Sequence, residues 1–253
     1  MRILLLGGTT EATGLARRLA EDPSLRPTLS LAGRTAAPAA APVATRIGGF
    51  GGAEGLAAWL RAEGVDAVID ATHPFAQVIS RNAAEACART GTPLLALRRP
   101  PWAAVAGDAW HEVETVAQAV PALGETPRRV FLTVGRLELA AFAAAPQHAY
   151  LVRTIEPVGD ALPVADLTAI TARGPFAEAE ERDLMRRHRV EVLVTKNSGG
   201  TATYGKIAAA RSLGLPVVIV RQPPLPAVAR VATQAEALAW LRNHRAASTL
   251  RGV

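Results

Sequence analysis

The chain is predicted to be α/β, with two similar three-layer units whose parallel sheets carry helices on both faces. Three observations predict it. Short runs of Val, Leu and Ile alternate with amphipathic stretches, the pattern of strands buried on both faces and joined by crossover helices. The pattern then repeats. Residues 129–135 (RVFLTVG) echo residues 2–8 (RILLLGG) at an offset of 127 (129 − 2), and residues 190–195 echo 65–70 at 125 (190 − 65). Residues 215–224 (LPVVIVRQPP) answer 92–101 (TPLLALRRPP), with Pro216 matching Pro93 at 123 (216 − 93). Finally, 253 residues that are 49% apolar and 20% charged suffice for one large core or two small ones. An internal duplication divides the chain into domains 1–125 and 126–253, joined by the turn-forming run Gly124-Glu125-Thr126-Pro127.

In order, residues 2–6 form a buried strand, and Gly7-Gly8-Thr9-Thr10 leads directly into a helix with Leu15, Ala16 and Leu19 on one side. A helix that starts there turns unpaired N–H groups and its positive dipole end toward the strand's carboxyl end, where a phosphate binds. The motif lacks the G-x-G-x-x-G spacing, so a plain turn capped by Thr9 or Thr10 explains the same residues. A second strand over 28–32 ends in Gly33-Arg34-Thr35. In a dinucleotide-binding βαβ unit this point meets the adenosine ribose, where an acidic residue suits a 2′-hydroxyl and an arginine a 2′-phosphate. Neither Asp nor Glu stands near Gly33, which points to NADP(H) rather than NAD(H).

Residues 36–44 are Ala- and Pro-rich and read as a loop. The glycines around Phe50 (GGFGG, 48–52) either bring backbone close to a flat ligand or make a turn before a helix over 54–63. A strand over 65–70 runs into Thr72-His73-Pro74, at a carboxyl end where open α/β sheets bind ligands. His73 there can donate to a ligand or carry a proton, while Pro74 is equally a helix-starting residue. The other histidines fall on strand edges or helix surfaces. A helix over 76–90, strands over 94–97 and 110–113 and a helix over 115–123 complete the first half. Cys87, the only cysteine, excludes an internal disulfide or a thiolate metal site and reads as a small core residue.

The second half differs from the first where chemistry is expected. Its first turn, Gly135-Arg136-Leu137-Glu138, has lost the glycine-threonine cradle, so a nucleotide belongs to the first half. Its third strand ends in the densest polar loop of the chain, Thr195-Lys196-Asn197-Ser198-Gly199-Gly200-Thr201-Ala202-Thr203-Tyr204. Arginines outnumber lysines 26 to 2, from 28 cations in all, so a compact titratable ammonium at Lys196 stands out. A solvated loop, with Thr203 as helix cap and Lys206 on the helix surface, is the alternative. The net charge of +6 is spread along helices, and aromatics are 4%, which argues against a nucleic-acid platform and fits an anionic small molecule. No apolar run is long enough to span a bilayer and no leader precedes the first strand, so a cytoplasmic location is expected.

Together, GGTTEA at 7–12, GFGG at 49–52, DATHPFA at 70–76 and TKNSGG at 195–200 resemble the precorrin-6A reductase family of corrin biosynthesis, in order and over nearly the full length. The resemblance implies two Rossmann-like domains with the active site in the cleft between them, and NADPH-dependent hydride transfer to precorrin-6A, giving precorrin-6B. It implies Gly7, Gly8, Thr9 and Thr10 on the pyrophosphate, with Arg34 and Thr35 at the 2′-phosphate and Gly33 beside them on the cofactor. Thr72 and His73 would line the nicotinamide side. Gly49, Phe50, Gly51, Lys196, Asn197, Ser198, Gly199 and Tyr204 would bind the carboxylate-rich macrocycle, and His73, Lys196, Tyr204 or water would supply the proton. No metal is implied in the protein. A monomer is the default, with hand-over to neighbouring pathway enzymes as a further partner. The cobalt-bearing counterpart, another polyanionic substrate and a non-catalytic NADP(H) sensor are the alternatives. The last short strand of each half follows a Pro-Pro break, and either sheet can receive it.

Overall fold

The computed structural model describes residues 1–33 and 40–249. In chain order these form β1 (Arg2–Leu6), α1 (Thr10–Ala20), β2 (Arg26–Leu31), β3 (Ala44–Ile47), α2 (Gly52–Ala62), β4 (Ala67–Asp70), α3 (Gln77–Thr90) and β5 (Leu94–Leu97). There follow β6 (Ala109–Val113), α4 (Val116–Ala119), β7 (Arg129–Leu132), β8 (Ala149–Thr154), β9 (Leu167–Thr171) and α5 (Glu178–Arg187). The chain closes with β10 (Val192–Lys196), α6 (Gly205–Ser212), β11 (Pro216–Val220), β12 (Ala229–Val231) and α7 (Gln234–Thr249).

Two six-stranded sheets result, ordered β12-β5-β4-β1-β2-β3 and β6-β11-β10-β7-β8-β9, and every pairing in both is parallel. Adding six to each number of the run 5-4-1-2-3 gives 11-10-7-8-9, so the duplication read from the sequence is carried by the topology. The edge strands break the rule. β12 pairs with β5, and β6 pairs with β11. The halves exchange their last strands.

The domain boundary expected at 125 is therefore corrected. One unit comprises residues 1–99 and 223–253, and the other residues 100–222. Sequence repetition records which strand follows which, but a three- to five-residue strand can extend the parallel edge of either sheet. The run 124–127 lies inside the second unit, where it leads to β7.

In the first unit, Ile3, Leu5 and Ile69 face one way toward Leu15 and Leu19 of α1 and Leu241 of α7. Leu4, Leu6 and Val68 face the other way, toward Leu56 and Leu60 of α2 and Ala83 and Cys87 of α3. Alternation along β1 thus fills both faces, and each fully buried leucine contributes about 1.5–3 kcal/mol. In the second unit, Phe131, Leu193, Val217 and Ile219 pack on Met185 of α5 and on Ile207 and Ala210 of α6. Two expectations shift. The loop read over 36–44 contains the start of β3, too short and polar to be seen as a strand, and its residues 36–39 lie outside the described residues. Pro74 sits in a turn before α3 rather than at its first position. Among the described residues no helix is long and apolar enough to cross a membrane.

Candidate functional site

The first unit gathers its polar residues at the carboxyl ends of β1 to β5. Gly7 lets the chain leave β1 against β2, since a Cβ there would lie 2.5 Å from Leu29 Cδ1. Gly8 has φ +113°, and a Cβ built on it would enter open space at the mouth of α1. Thr9 caps α1: its hydroxyl oxygen accepts from Ala12 N at 3.1 Å and its O–H donates to Ala71 O at 2.8 Å, tying the turn to the end of β4. The amides of Thr10 and Glu11 occupy positions that a helix cannot satisfy internally. Glu11 is neutralised by Arg99, whose Nη1 lies 3.0 Å from Oε2. A glycine-opened concavity, first-turn N–H groups and a compensated carboxylate fit a pyrophosphate. Gly33 follows β2 with φ +73°, whereas Arg34 and Thr35 lie outside the described residues.

Gly49, Phe50 and Gly51 follow β3, beside the end of β2. Arg46 holds this turn: it stacks on the Phe50 ring at 3.7 Å and donates to Ser30 Oγ at 2.9 Å and to Gly48 O and Gly49 O, each at 3.0 Å. Burial pushes its pKa down. Phe50 meets Trp59 edge-on at 5.5 Å. These residues were expected with the substrate-binding set. The structure sets this turn beside the end of β2, because β3 pairs with β2 and Gly48 N donates to Leu31 O at 2.9 Å.

At the end of β4 stands a buried group that the sequence reading did not single out. Asp70 and Arg98 form a buried ion pair, each side chain 4% exposed. Arg98 also donates to Asp70 O at 2.8 Å, Thr72 O at 3.1 Å and Ser80 Oγ at 2.8 Å. Thr72 donates its hydroxyl to Asp70 Oδ1 at 2.6 Å, so it helps set the corner on which His73 stands. His73 is half-buried, and its Nδ1 accepts from Phe75 N at 3.3 Å. With Nδ1 accepting, the proton of the neutral ring resides on Nε2. A strand-terminal acid and a strand-terminal arginine on neighbouring parallel strands were the available signal. Cys87 lies beneath, its thiol pushed up to about 12 by burial and by Asp70.

In the second unit, Lys196 closes β10 and pairs with Glu138, whose carboxylate also accepts from Gly135 N at 3.2 Å. Asn197 is buried, and both ends of its amide engage Trp102: Oδ1 accepts from Trp102 N at 2.7 Å and Nδ2 donates to Trp102 O at 2.9 Å. Both polar atoms of the amide engage the backbone, so Asn197 anchors the loop. Trp102 Nε1 donates to Gly200 O at 2.7 Å, completing the clamp. Ser198 is buried with its hydroxyl 3.4 Å from that of Thr203, and Gly199 has φ +65°. The Tyr204 hydroxyl accepts from Arg211 at 2.5 Å, and Arg211 is held in turn by Asp108 at 2.9 Å.

Two further expectations are corrected. Lys206, on the helix surface in the alternative reading of this loop, is 5% exposed, with Nζ 5.7 Å from the centre of the Trp102 ring. The charge lies within reach of a π face, which offsets part of its desolvation. His148 is likewise buried, at the amino end of β8. Sequence position showed neither Trp102 nor Arg211, because both act across gaps of about a hundred residues. Among the described residues no group of three or more His, Cys, Asp or Glu is placed to hold a metal.

Comparisons with known proteins converge. Residues 2–242 match the family described as precorrin-6x reductase CbiJ/CobK. The chain is 55% identical to the precorrin-6A reductase of Sinorhizobium sp over 237 residues, covering 94% of this chain and 91% of that one. It is 50% identical to that of Rhodobacter capsulatus, over 100% and 99%. The cobalt-precorrin-6A reductase of Salmonella typhimurium is more distant, at 28% over 87% of each. A solved CobK precorrin-6A reductase superposes with TM-score 0.91 at 49% identity, over 96% of both chains.

Proposed function

The chain belongs to the precorrin-6x reductase family, and from that premise we propose that it reduces precorrin-6A with NADPH. It is an oxidoreductase of cobalamin biosynthesis acting on a CH–CH group. When bound, NADPH supplies the hydride; the chain's own residues bind, orient and protonate.

The observation that carries the cofactor reading is the open cradle at Gly8, at the mouth of α1 and capped by Thr9. Gly7, Gly8 and the first-turn amides of α1 hold the pyrophosphate, and Gly33, Arg34 and Thr35 take the 2′-phosphate. The carboxyl end of β4 lies next to β1 in the sheet, which supports the reading that Thr72 and His73 line the nicotinamide side. Hydride transfer needs donor and acceptor carbons within about 3–3.5 Å, so orientation is the main task of the fold. The reduction is complete when one ring carbon gains hydride and its neighbour a proton. His73 Nε2–H, the Lys196 ammonium and the Tyr204 hydroxyl are the side-chain proton sources, with water as the fourth. The protein acts as a monomer and hands precorrin-6B to the next enzyme of the pathway.

The test is oxidation of reduced nicotinamide by the purified protein with precorrin-6A, run with NADPH, with NADH, and with cobalt-precorrin-6A as a competing substrate. The expected result is turnover with NADPH and precorrin-6A. Absence of oxidation with either nicotinamide would overturn the reading, and equal rates would overturn the assignment of NADPH.

A further inference from the structure

Few large apolar side chains are exposed among the described residues, and two of them follow neighbouring strands of the second sheet. Leu137 is 73% exposed just beyond β7, and Ile155 is 50% exposed just beyond β8. These strands are neighbours, with Leu132 opposite Val152 near their carboxyl ends. A single exposed leucine needs no explanation. A leucine and an isoleucine in the segments that follow adjacent strands, on the side of an α/β sheet that binds ligands, do.

The exposed charges around them are two arginines, Arg136 and Arg173, and one acid, Asp160, five residues past Ile155. Arg136 is exposed beside Leu137, and Arg173 is exposed two residues past β9, the strand next to β8. Neither has an ion pair among the described residues. The other acids nearby are Glu138, held by Lys196, and Glu156, half-buried with its carbonyl accepting from the Thr154 hydroxyl at 2.6 Å. At about 4.8 Å per strand, the ends of β10, β7, β8 and β9 span roughly 14 Å. That is the breadth of a flat macrocycle rather than of a single ring.

We propose that this rim is the platform for one face of the tetrapyrrole: Leu137 and Ile155 pack against the apolar ring face, and Arg136 and Arg173 meet carboxylates at its edge. The proposal rests on the reductase reading and deepens it. It also moves substrate recognition away from Asn197 and Ser198, whose polar groups are spent on holding their own loop.

The test is precorrin-6A binding without NADPH, followed by quenching of tryptophan fluorescence, for the wild type and two double variants. Replacing Leu137→Ser with Ile155→Ser removes the apolar face. Its Kd for precorrin-6A rises about ten-fold or more, while the Kd for NADPH and the thermal midpoint stay at wild-type values. Replacing Arg136→Gln with Arg173→Gln weakens binding and flattens its dependence on salt, which a merely structural role would leave unchanged. If the wild type binds and reduces precorrin-6A and both double variants bind it equally well, the platform is wrong and the reductase reading stands. If the wild type itself neither binds nor reduces precorrin-6A, both fall.

Discussion

Asn197 faces the backbone of Trp102 edge-on and meets it twice, accepting from the amide at 2.7 Å and donating to the carbonyl at 2.9 Å. The two residues are 95 positions apart, so this pair fastens the segment after residue 100 to the loop that begins at Lys196. Asn197→Ala would leave a partly buried N–H and C=O without partners, a loss of about 1–3 kcal/mol for each group left unsatisfied. Chemical denaturation should show it. Asn197→Asp keeps the acceptor but sets a buried carboxylate oxygen against the Trp102 carbonyl, so it should destabilise at least as much as the alanine variant. An alanine variant as stable as the wild type would show that the clamp is not what holds the loop.

Asp70 and Arg98 offer a second measurement. Both are buried, and the guanidinium is shared among Asp70, Thr72 and Ser80. Removing one charge strands the other away from water, at about 3–5 kcal/mol. Asp70→Asn and Arg98→Met should each destabilise by that order. The double variant should lose less than the two together, because neither charge is then left unpaired. Additive losses in the double-mutant cycle would mean that the ion pair carries no coupling of its own.

These two pairs also mark where sequence reading stops. The apolar strands, the glycine-threonine turn and the repeat were legible because each is local or periodic: β1 declares itself by its run of leucines and Thr9 by standing just before a helix. The exchange of β6 and β12 was legible only as an open question, since a short edge strand carries no signal for which sheet it joins. Asp70 and Arg98 could have been suspected as opposite charges at the ends of neighbouring strands. Trp102 and Asn197 could not, because an amide folded onto a distant backbone leaves no periodic trace. Leu137 and Ile155 look like core residues in the sequence, and only their exposure makes them candidates for contact with a ligand.

Gly8 tests the cofactor end of the site. Its φ of +113° is one that an L side chain rarely adopts. Gly8→Ala is therefore expected to cost about 1–3 kcal/mol of backbone strain and to place a methyl group in the cradle. NADPH affinity, read by calorimetry on the folded variant, should fall by an order of magnitude or more. Affinity for precorrin-6A should not change. A variant that is strained but binds NADPH normally would remove Gly8 from the pyrophosphate site while leaving the turn's geometry as described.

His148 sets a pH dependence whose sign can be worked out. The ring is 1% exposed, and its Nδ1 accepts from Arg128 N at 3.2 Å. Burial, assisted by the Arg128 charge, lowers its pKa below the ordinary 6.5. The folded protein therefore holds the ring neutral over a range in which the unfolded chain would already be protonated. Where the unfolded state binds more protons, stability rises with pH. The contribution is thus complete above about pH 6.5 and is lost progressively as the pH falls through the folded-state value. Urea midpoints measured from pH 8 down to pH 5 should decline for the wild type. His148→Asn can keep an acceptor for Arg128 N but has no proton to take up, so its decline over the same range should be shallower. Parallel curves for the two proteins would place the acid sensitivity elsewhere.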